Sequence, residues 1–151
     1  IKIMPDKICI FVKGATRRGK SKSIVALVNK MGHANHSQIW TNNGDDIQGV
    51  VSFMDRKIAL CSDNKPNNGS AKWIKSVILE KSCDIIIAAC RRGGKTQDPL
   101  LVNLSQNDYT VIEVYPFRKP NAQYSKQEAE LFSTALADSI LKIIINTIKN
   151  E

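Results

Sequence analysis

Four residues near the amino end of the chain have the types and the spacing that phosphate binding requires. Gly14, Gly19, Lys20 and Ser21 form the pattern G-x-x-x-x-G-K-S inside the stretch KGATRRGKSKS. Glycines at both ends allow such a loop to curl, so that successive backbone N–H groups point inward and surround an anion. A helix beginning near Lys20 would direct the positive end of its dipole at the same anion. The pattern therefore predicts a binding loop for a phosphate-rich ligand.

The side chains of this loop have separate expected roles. Lys20 would reach the β- and γ-phosphates of a nucleoside triphosphate, and the Ser21 hydroxyl would ligate Mg²⁺. Lys13 and the remaining basic residues of the stretch would supply local positive potential. The residues expected to bind the nucleotide are Gly14, Ala15, Thr16, Arg17, Arg18, Gly19, Lys20, Ser21 and Lys22.

The segments on either side of the loop are suited to position it. KICIFV, Lys7 to Val12, is a short apolar run typical of a buried strand. After the loop, apolar residues recur at three- and four-residue spacing and Gly32 follows them, which predicts a helix that ends there. These apolar residues are Ile24, Leu27, Val28 and Met31.

With a strand before it and a helix after it, GATRRGKS matches the Walker A motif, and the chain resembles the P-loop NTPase superfamily. The resemblance implies an α/β domain that binds a nucleoside triphosphate with Mg²⁺. Ala15 stands where the dimeric partitioning-type ATPases have a second lysine, so that subfamily is disfavoured. No N-K-x-D motif follows either late strand, and ATP is therefore the expected nucleotide rather than GTP.

The rest of the chain alternates between strand-like and helix-like segments, as expected of crossover units in a parallel sheet. IQGVVSFM and KIALCS are separated only by Asp55 and Arg56, which predicts an antiparallel hairpin. The predicted fold is a single α/β domain over residues 1–151, with a mostly parallel sheet, helices on both faces and one antiparallel hairpin strand. The other predicted elements are a brief strand at Gln38 to Thr41, helices in SAKWIKSVILEK and QDPLLVNLS, strands in CDIIIAAC and YTVIEVYPF, and a long helix opened by Ser125 and Glu128 as a capping box.

An acidic residue at the end of a neighbouring strand usually holds the water shell of the magnesium ion. KIALCSD places Asp63 at such a position, although a turn or helix-capping role for Asp63 is equally compatible with the sequence. Asp84 begins its strand and is therefore expected at the opposite edge of the sheet.

The start of the predicted hairpin supplies a second set of candidate metal ligands. If the hairpin is antiparallel, Asn43, Asp45 and Asp46 return to the same edge as the phosphate loop, in an order similar to the switch loop of small GTPases. The metal ligands predicted from the sequence are Ser21, Asp63 and Asp45.

The loop RRGGKT follows the predicted strand CDIIIAAC, and ligands of open α/β sheets bind along that edge. Arg91, Arg92 and Lys95 are candidates to contact phosphate or the charge that develops on the transferred group. Gly93 and Gly94 would allow the loop to move. The alternative is an ordinary solvated basic loop.

The composition limits the function class without selecting one function. The chain has 151 residues, 22 basic against 14 acidic side chains and a net charge of +8, which favours an anionic partner. No run approaches roughly 18 apolar residues, so we expect a soluble, cytoplasmic protein without a membrane span. Its four cysteines, Cys9, Cys61, Cys83 and Cys90, have no metal-binding spacing and are expected to be free thiols.

Three functions remain open on the sequence. The first is a Mg²⁺-dependent ATPase in which Lys20, Asp63, Arg91 and Arg92 act at the reacting phosphate. The second is a kinase for a small molecule or nucleotide, in which Asp45, Asp46 or Asp63 serves as the base. The third is a non-enzymatic, nucleotide-regulated module whose basic surface contacts nucleic acid or an acidic protein.

Overall fold

The computed structural model describes residues 7–13, 20–32, 38–42, 46–62, 74–77, 83–90, 97–115 and 125–149. The strands are β1 (Ile8–Lys13), β2 (Gln38–Asn42), β3 (Asp46–Phe53), β4 (Arg56–Cys61), β5 (Ile85–Cys90) and β6 (Thr110–Val114). The helices are α1 (Lys20–Met31), α2 (Gln97–Gln106) and α3 (Lys126–Lys149). Residues 74–77 are also helical and lie inside the helix predicted for SAKWIKSVILEK.

The strands form one mixed sheet in the order β2-β3-β4-β5-β1-β6. The pairs β4–β5, β5–β1 and β1–β6 are parallel, whereas β2–β3 and β3–β4 are antiparallel. The predicted α/β class and the mostly parallel sheet are thereby confirmed. The brief strand expected at Gln38 to Thr41 is β2. Its antiparallel pairing with β3 comes in addition to the predicted antiparallel hairpin of β3 and β4.

Strand β1 lies inside the parallel part of the sheet, and all of its residues are buried. Ile8, Ile10 and Val12 pack with α1 and α3 on one face of the sheet, which we call the α1 face. Cys9 and Phe11 pack with α2 and residues 74–77 on the opposite face, which we call the α2 face. Because successive residues of a strand point to opposite faces, a strand whose residues are all buried requires helices on both sides.

The α1 face is covered by two helices that pack against each other. From α1, Ile24 and Leu27 are fully buried, and from α3, Ile140 and Ile144 are fully buried in the same core. The long helix α3 begins with the predicted capping box. The Ser125 backbone N–H donates to Glu128 Oε1 at 3.3 Å, and the Glu128 N–H donates to Ser125 Oγ at 3.1 Å.

Among the described helices, α3 alone is long and apolar enough to cross a membrane by length and composition. The sequence predicted no such stretch. Core helices of globular proteins also meet this criterion, and in this fold Ala137, Ile140 and Ile144 of α3 are fully buried. Packing on the sheet buries 28% of the apolar stretch of α3, so it accounts for only part of the apolar character of this helix.

The α2 face includes a helix end that the sequence did not predict in detail. After α2, the Asp108 N–H donates to the Ser105 carbonyl at 3.1 Å and the Tyr109 N–H donates to the Leu104 carbonyl at 2.9 Å. These two bonds form a Schellman motif, and Asp108 adopts the left-handed φ of 65° that the motif requires. Leu104 and Tyr109 are both buried in the core of this face.

The turn between β3 and β4 differs by one residue from the prediction. Phe53 pairs with Arg56, so that Met54 and Asp55 form the turn and Arg56 belongs to β4. Met54 and Asp55 have φ values of 52° and 63°, and positive φ at both central residues is the requirement of a type I′ turn. The sequence missed this because neither residue is the glycine or asparagine that usually marks such a turn.

Cys9, Cys61 and Cys83 are buried and form no disulfide bond, as predicted. The fourth cysteine, Cys90, ends β5, and its side chain lies outside the described part of the structure.

We predict that Met54→Gly gives a more stable protein than Met54→Ala, by about 1 kcal/mol. Both substitutions remove the same partly exposed side chain, and only alanine keeps the Cβ atom that disfavours a positive φ. Urea unfolding of the two variants tests this, and equal midpoints and slopes would contradict the assigned turn.

The second stability prediction concerns the buried Tyr109 hydroxyl, which donates to the Cys83 carbonyl. Its pKa is raised from 10.0 to about 12, mainly by burial and then by the nearby Cys83 and Asp84. The unfolded chain therefore loses this proton first, and the stability that Tyr109 contributes is present below pH 10 and declines as the pH rises toward 12.

At pH 9 the wild type should be more stable than Tyr109→Phe by about 1 kcal/mol, the usual net value of one hydrogen bond. By pH 11 that difference should shrink by roughly 1 kcal/mol. Urea unfolding of both proteins across this range measures the difference, and a difference that does not change with pH would contradict the raised pKa.

Candidate functional site

The carboxyl end of β1 leads directly into the motif that the sequence analysis singled out. β1 ends at Lys13, whose register partner is Cys90 at the end of β5, and α1 begins at Lys20. Residues 14–19 therefore join the carboxyl end of a buried interior strand to the amino end of a helix. Residues 14–19 themselves, and the side chains of Lys20, Ser21 and Lys22, lie outside the described part of the structure.

The helices that follow β1 and β5 lie on opposite faces of the sheet. Ile24 and Leu27 of α1 pack on the α1 face, whereas Leu104 of α2 packs on the α2 face. When two adjacent parallel strands continue to opposite faces, a crevice opens between their carboxyl ends, and open α/β sheets bind their ligands there. In this sheet the two strand ends that would border such a crevice are Lys13 and Cys90.

Both basic segments predicted to bind phosphate follow directly from these two strand ends. Gly14 follows Lys13, and Arg91 and Arg92 follow Cys90, in two strands that are direct neighbours. Asp63 comes shortly after β4, which is separated from β1 by β5, so the two strands are about 10 Å apart. Asp63, Arg91, Arg92 and the rest of RRGGKT are outside the described residues.

The hairpin candidates come at or shortly before the start of β3, which lies farther from β1 than β4 does. The antiparallel pairing returns the start of β3 to the carboxyl edge of β4, as expected, because Gln48 pairs with Cys61. In the sheet order, however, β4 and β5 both lie between β3 and β1, which places the strands about 14 Å apart. Asp46 starts β3, while Asn43 and Asp45 are outside the described residues.

Asp84 lies at the opposite edge, as the sequence predicted. It immediately precedes β5, and its Oδ2 accepts from Arg56 Nη1 at 2.5 Å at the start of β4. This ion pair joins the amino ends of two neighbouring strands and has a structural role.

A polar cluster that the sequence did not predict lies at the carboxyl edge beside the crevice. Lys13 Nζ is 3.2 Å from Glu113 Oε1, and the Tyr115 hydroxyl donates to Glu113 Oε2 at 2.8 Å. Glu113 belongs to β6, on the other side of β1 from β5. The only sequence signal was an acidic residue within the apolar strand TVIEV, and its partner depends on a strand register that the sequence does not reveal.

Metal ligation was expected from Ser21, Asp63 and Asp45. None of these three side chains is within the described part of the structure. Among the side chains that are described, no group of three or more His, Cys, Asp and Glu residues could hold a metal ion.

Comparison with known proteins adds no family assignment: no family model, no curated protein and no solved structure matches the chain. The motif and the placement of the strands and helices around it are the features that bear on function.

Proposed function

We propose that the protein is a P-loop nucleotide-binding protein that binds ATP with Mg²⁺ in the crevice between β1 and β5, and hydrolyses it. The observation that supports this most strongly is the coincidence of two independent features. The G-x-x-x-x-G-K-S motif spans the connection from β1 to α1, and the same connection borders the crevice that the opposite placement of α1 and α2 creates.

In this proposal the backbone of residues 14–19 and the first turn of α1 surround the phosphates. α1 has no acidic residue in its first turn, so no carboxylate of that turn competes with the ligand for the positive end of the helix dipole. Lys20 contacts the β- and γ-phosphates, and Ser21 ligates the metal, which neutralises charge on the phosphate oxygens. Asp63 holds the metal through its water shell. This role is compatible with its place after β4, which only β5 separates from β1.

The arginines after β5 supply the chemistry that distinguishes hydrolysis from simple binding. Because β5 adjoins β1, Arg91 and Arg92 begin where the γ-phosphate is expected, and a guanidinium there stabilises the charge that develops during phosphoryl transfer.

The first functional prediction is that Lys20→Ala weakens binding of Mg²⁺–ATP by about 10- to 100-fold, the loss expected for charge-assisted hydrogen bonds to phosphate. Isothermal titration calorimetry measures the dissociation constants. The matched control is Lys142→Ala, which removes an exposed lysine of α3 and should bind as the wild type does. Equal binding by Lys20→Ala and the wild type would exclude the proposed phosphate loop.

The second functional prediction is that Arg91→Ala/Arg92→Ala lowers the rate of phosphate release by at least about tenfold, while ATP affinity changes less. Release of phosphate from saturating ATP provides the rate. A rate equal to that of the wild type would show that RRGGKT is a solvated loop. The same assay with nucleosides, nucleotides and small alcohols as acceptors identifies a kinase, if one acceptor becomes phosphorylated faster than ATP is hydrolysed.

A further inference from the structure

Lys13 is an unusual residue for the last position of a buried strand. Its side chain is only 8% exposed, whereas that of its partner Glu113 is 37% exposed. A lysine with so little contact with water needs a compensating charge, and Glu113 Oε1 provides it at 3.2 Å. The charge of Lys13 is therefore largely balanced by Glu113. From the sequence alone, Lys13 is expected to supply positive potential to the loop.

The Lys13–Glu113 ion pair joins β1 to β6 at a point where the backbone pairing of these two strands has ended. On the β5 side of β1, the register extends to Lys13 and Cys90. On the β6 side it stops one residue earlier, at Val12 and Val114. Lys13 reaches back to Glu113, so a side-chain contact replaces the missing pairing at the residue that immediately precedes the phosphate loop.

Glu113 is itself held on its other oxygen. Tyr115 leaves β6 two residues later, and its hydroxyl donates to Glu113 Oε2 at 2.8 Å. Both carboxylate oxygens thus have partners, and the three side chains form a chain from the end of β1 to the end of β6. Long side chains held at both ends lose most of their rotamer freedom.

A carboxylate at this place is unfavourable for anion binding by charge alone. Glu113 lies on the strand adjacent to β1, near the edge where a polyanionic ligand is proposed, and its negative charge opposes the potential that such a ligand requires. The geometry, in contrast, suits a residue that orients Lys13.

We propose that Glu113 is a positioning residue for the phosphate loop. Supported by Tyr115, it holds Lys13 and so fixes the end of β1 from which the proposed phosphate loop continues. This inference rests on the proposed ATP site, and it assigns Glu113 no contact with the nucleotide.

The test is the sign of the change in ATP affinity in Glu113→Gln. If Glu113 positions the loop, Glu113→Gln weakens Mg²⁺–ATP binding by about five- to tenfold, because the neutral amide no longer holds the lysine charge. If Lys13 acts instead as a source of positive potential, removal of its counter-charge leaves binding unchanged or makes it tighter. Calorimetric dissociation constants that are unchanged or lower in Glu113→Gln overturn the proposal.

A double-mutant cycle and two further variants separate positioning from other effects. Lys13→Met should weaken binding, and Lys13→Met/Glu113→Gln should be no weaker than Lys13→Met alone, since the two residues act together. Lys13→Arg, which can still pair with Glu113, should restore affinity to within about threefold of the wild type. If the double variant shows the two losses added together, or if Lys13→Arg binds as weakly as Lys13→Met, the proposal is wrong.

The matched control is Asp138→Asn, which removes the carboxylate of a different ion pair. Asp138 Oδ1 is 2.7 Å from Lys30 Nζ, at the end of α1 that is remote from the loop, and the substitution should leave ATP affinity unchanged. Urea unfolding of every variant shows whether it is folded under the conditions of the titration. A Glu113→Gln protein that is less stable but binds ATP with unchanged affinity has lost a structural contact only, and that outcome also overturns the proposal.

Failure of the ATP site itself gives a different result. If the wild type and Lys20→Ala bind ATP equally or not at all, the proposed function is wrong. If Lys20→Ala loses affinity while Glu113→Gln does not, the ATP site stands and only the role of Glu113 is rejected.

Discussion

The burial of β1 on both faces of the sheet is the constraint on which the rest of the structure depends. Since every residue from Ile8 to Lys13 is buried, helices have to cover both the α1 face and the α2 face. The chain meets this requirement by continuing from β1 to one face and from its neighbour β5 to the other. Open α/β sheets bind their ligands between two such strand ends, and both basic loop segments follow directly from these ends.

The two edges of the parallel sheet have different interactions. At the amino edge, Arg56 pairs with Asp84 and the Tyr109 hydroxyl donates to the Cys83 carbonyl, so these contacts hold strand ends and loops together. At the carboxyl edge, the sequence concentrates basic residues in GATRRGKS and RRGGKT. The described contacts at that edge, between Lys13, Glu113 and Tyr115, support the end of β1.

The strands and helices could be predicted because burial and helix capping leave local patterns in the sequence. The apolar run of β1 and the capping box of α3 both form as expected. The order of the strands in the sheet could not be predicted, because an apolar strand such as β5 would be equally buried at several positions. This is why the distance from the hairpin to β1 became apparent only in the structure. The turn at Met54 was missed because it lacks the usual turn residues. The Lys13–Glu113 pair was missed because it depends on the register between β1 and β6.

The central claim is that the phosphates of ATP bind in the crevice between β1 and β5. The most direct measurement is the change in backbone amide chemical shifts of the ¹⁵N-labelled protein when ATP and Mg²⁺ are added. The account predicts that the largest shifts fall on residues 13–22 and on the residues that follow Cys90. The amino edge, including Asp84 and Thr110, should change little. Shifts concentrated at the amino edge or on the exposed side of α3, or no shifts at millimolar ATP, would contradict it.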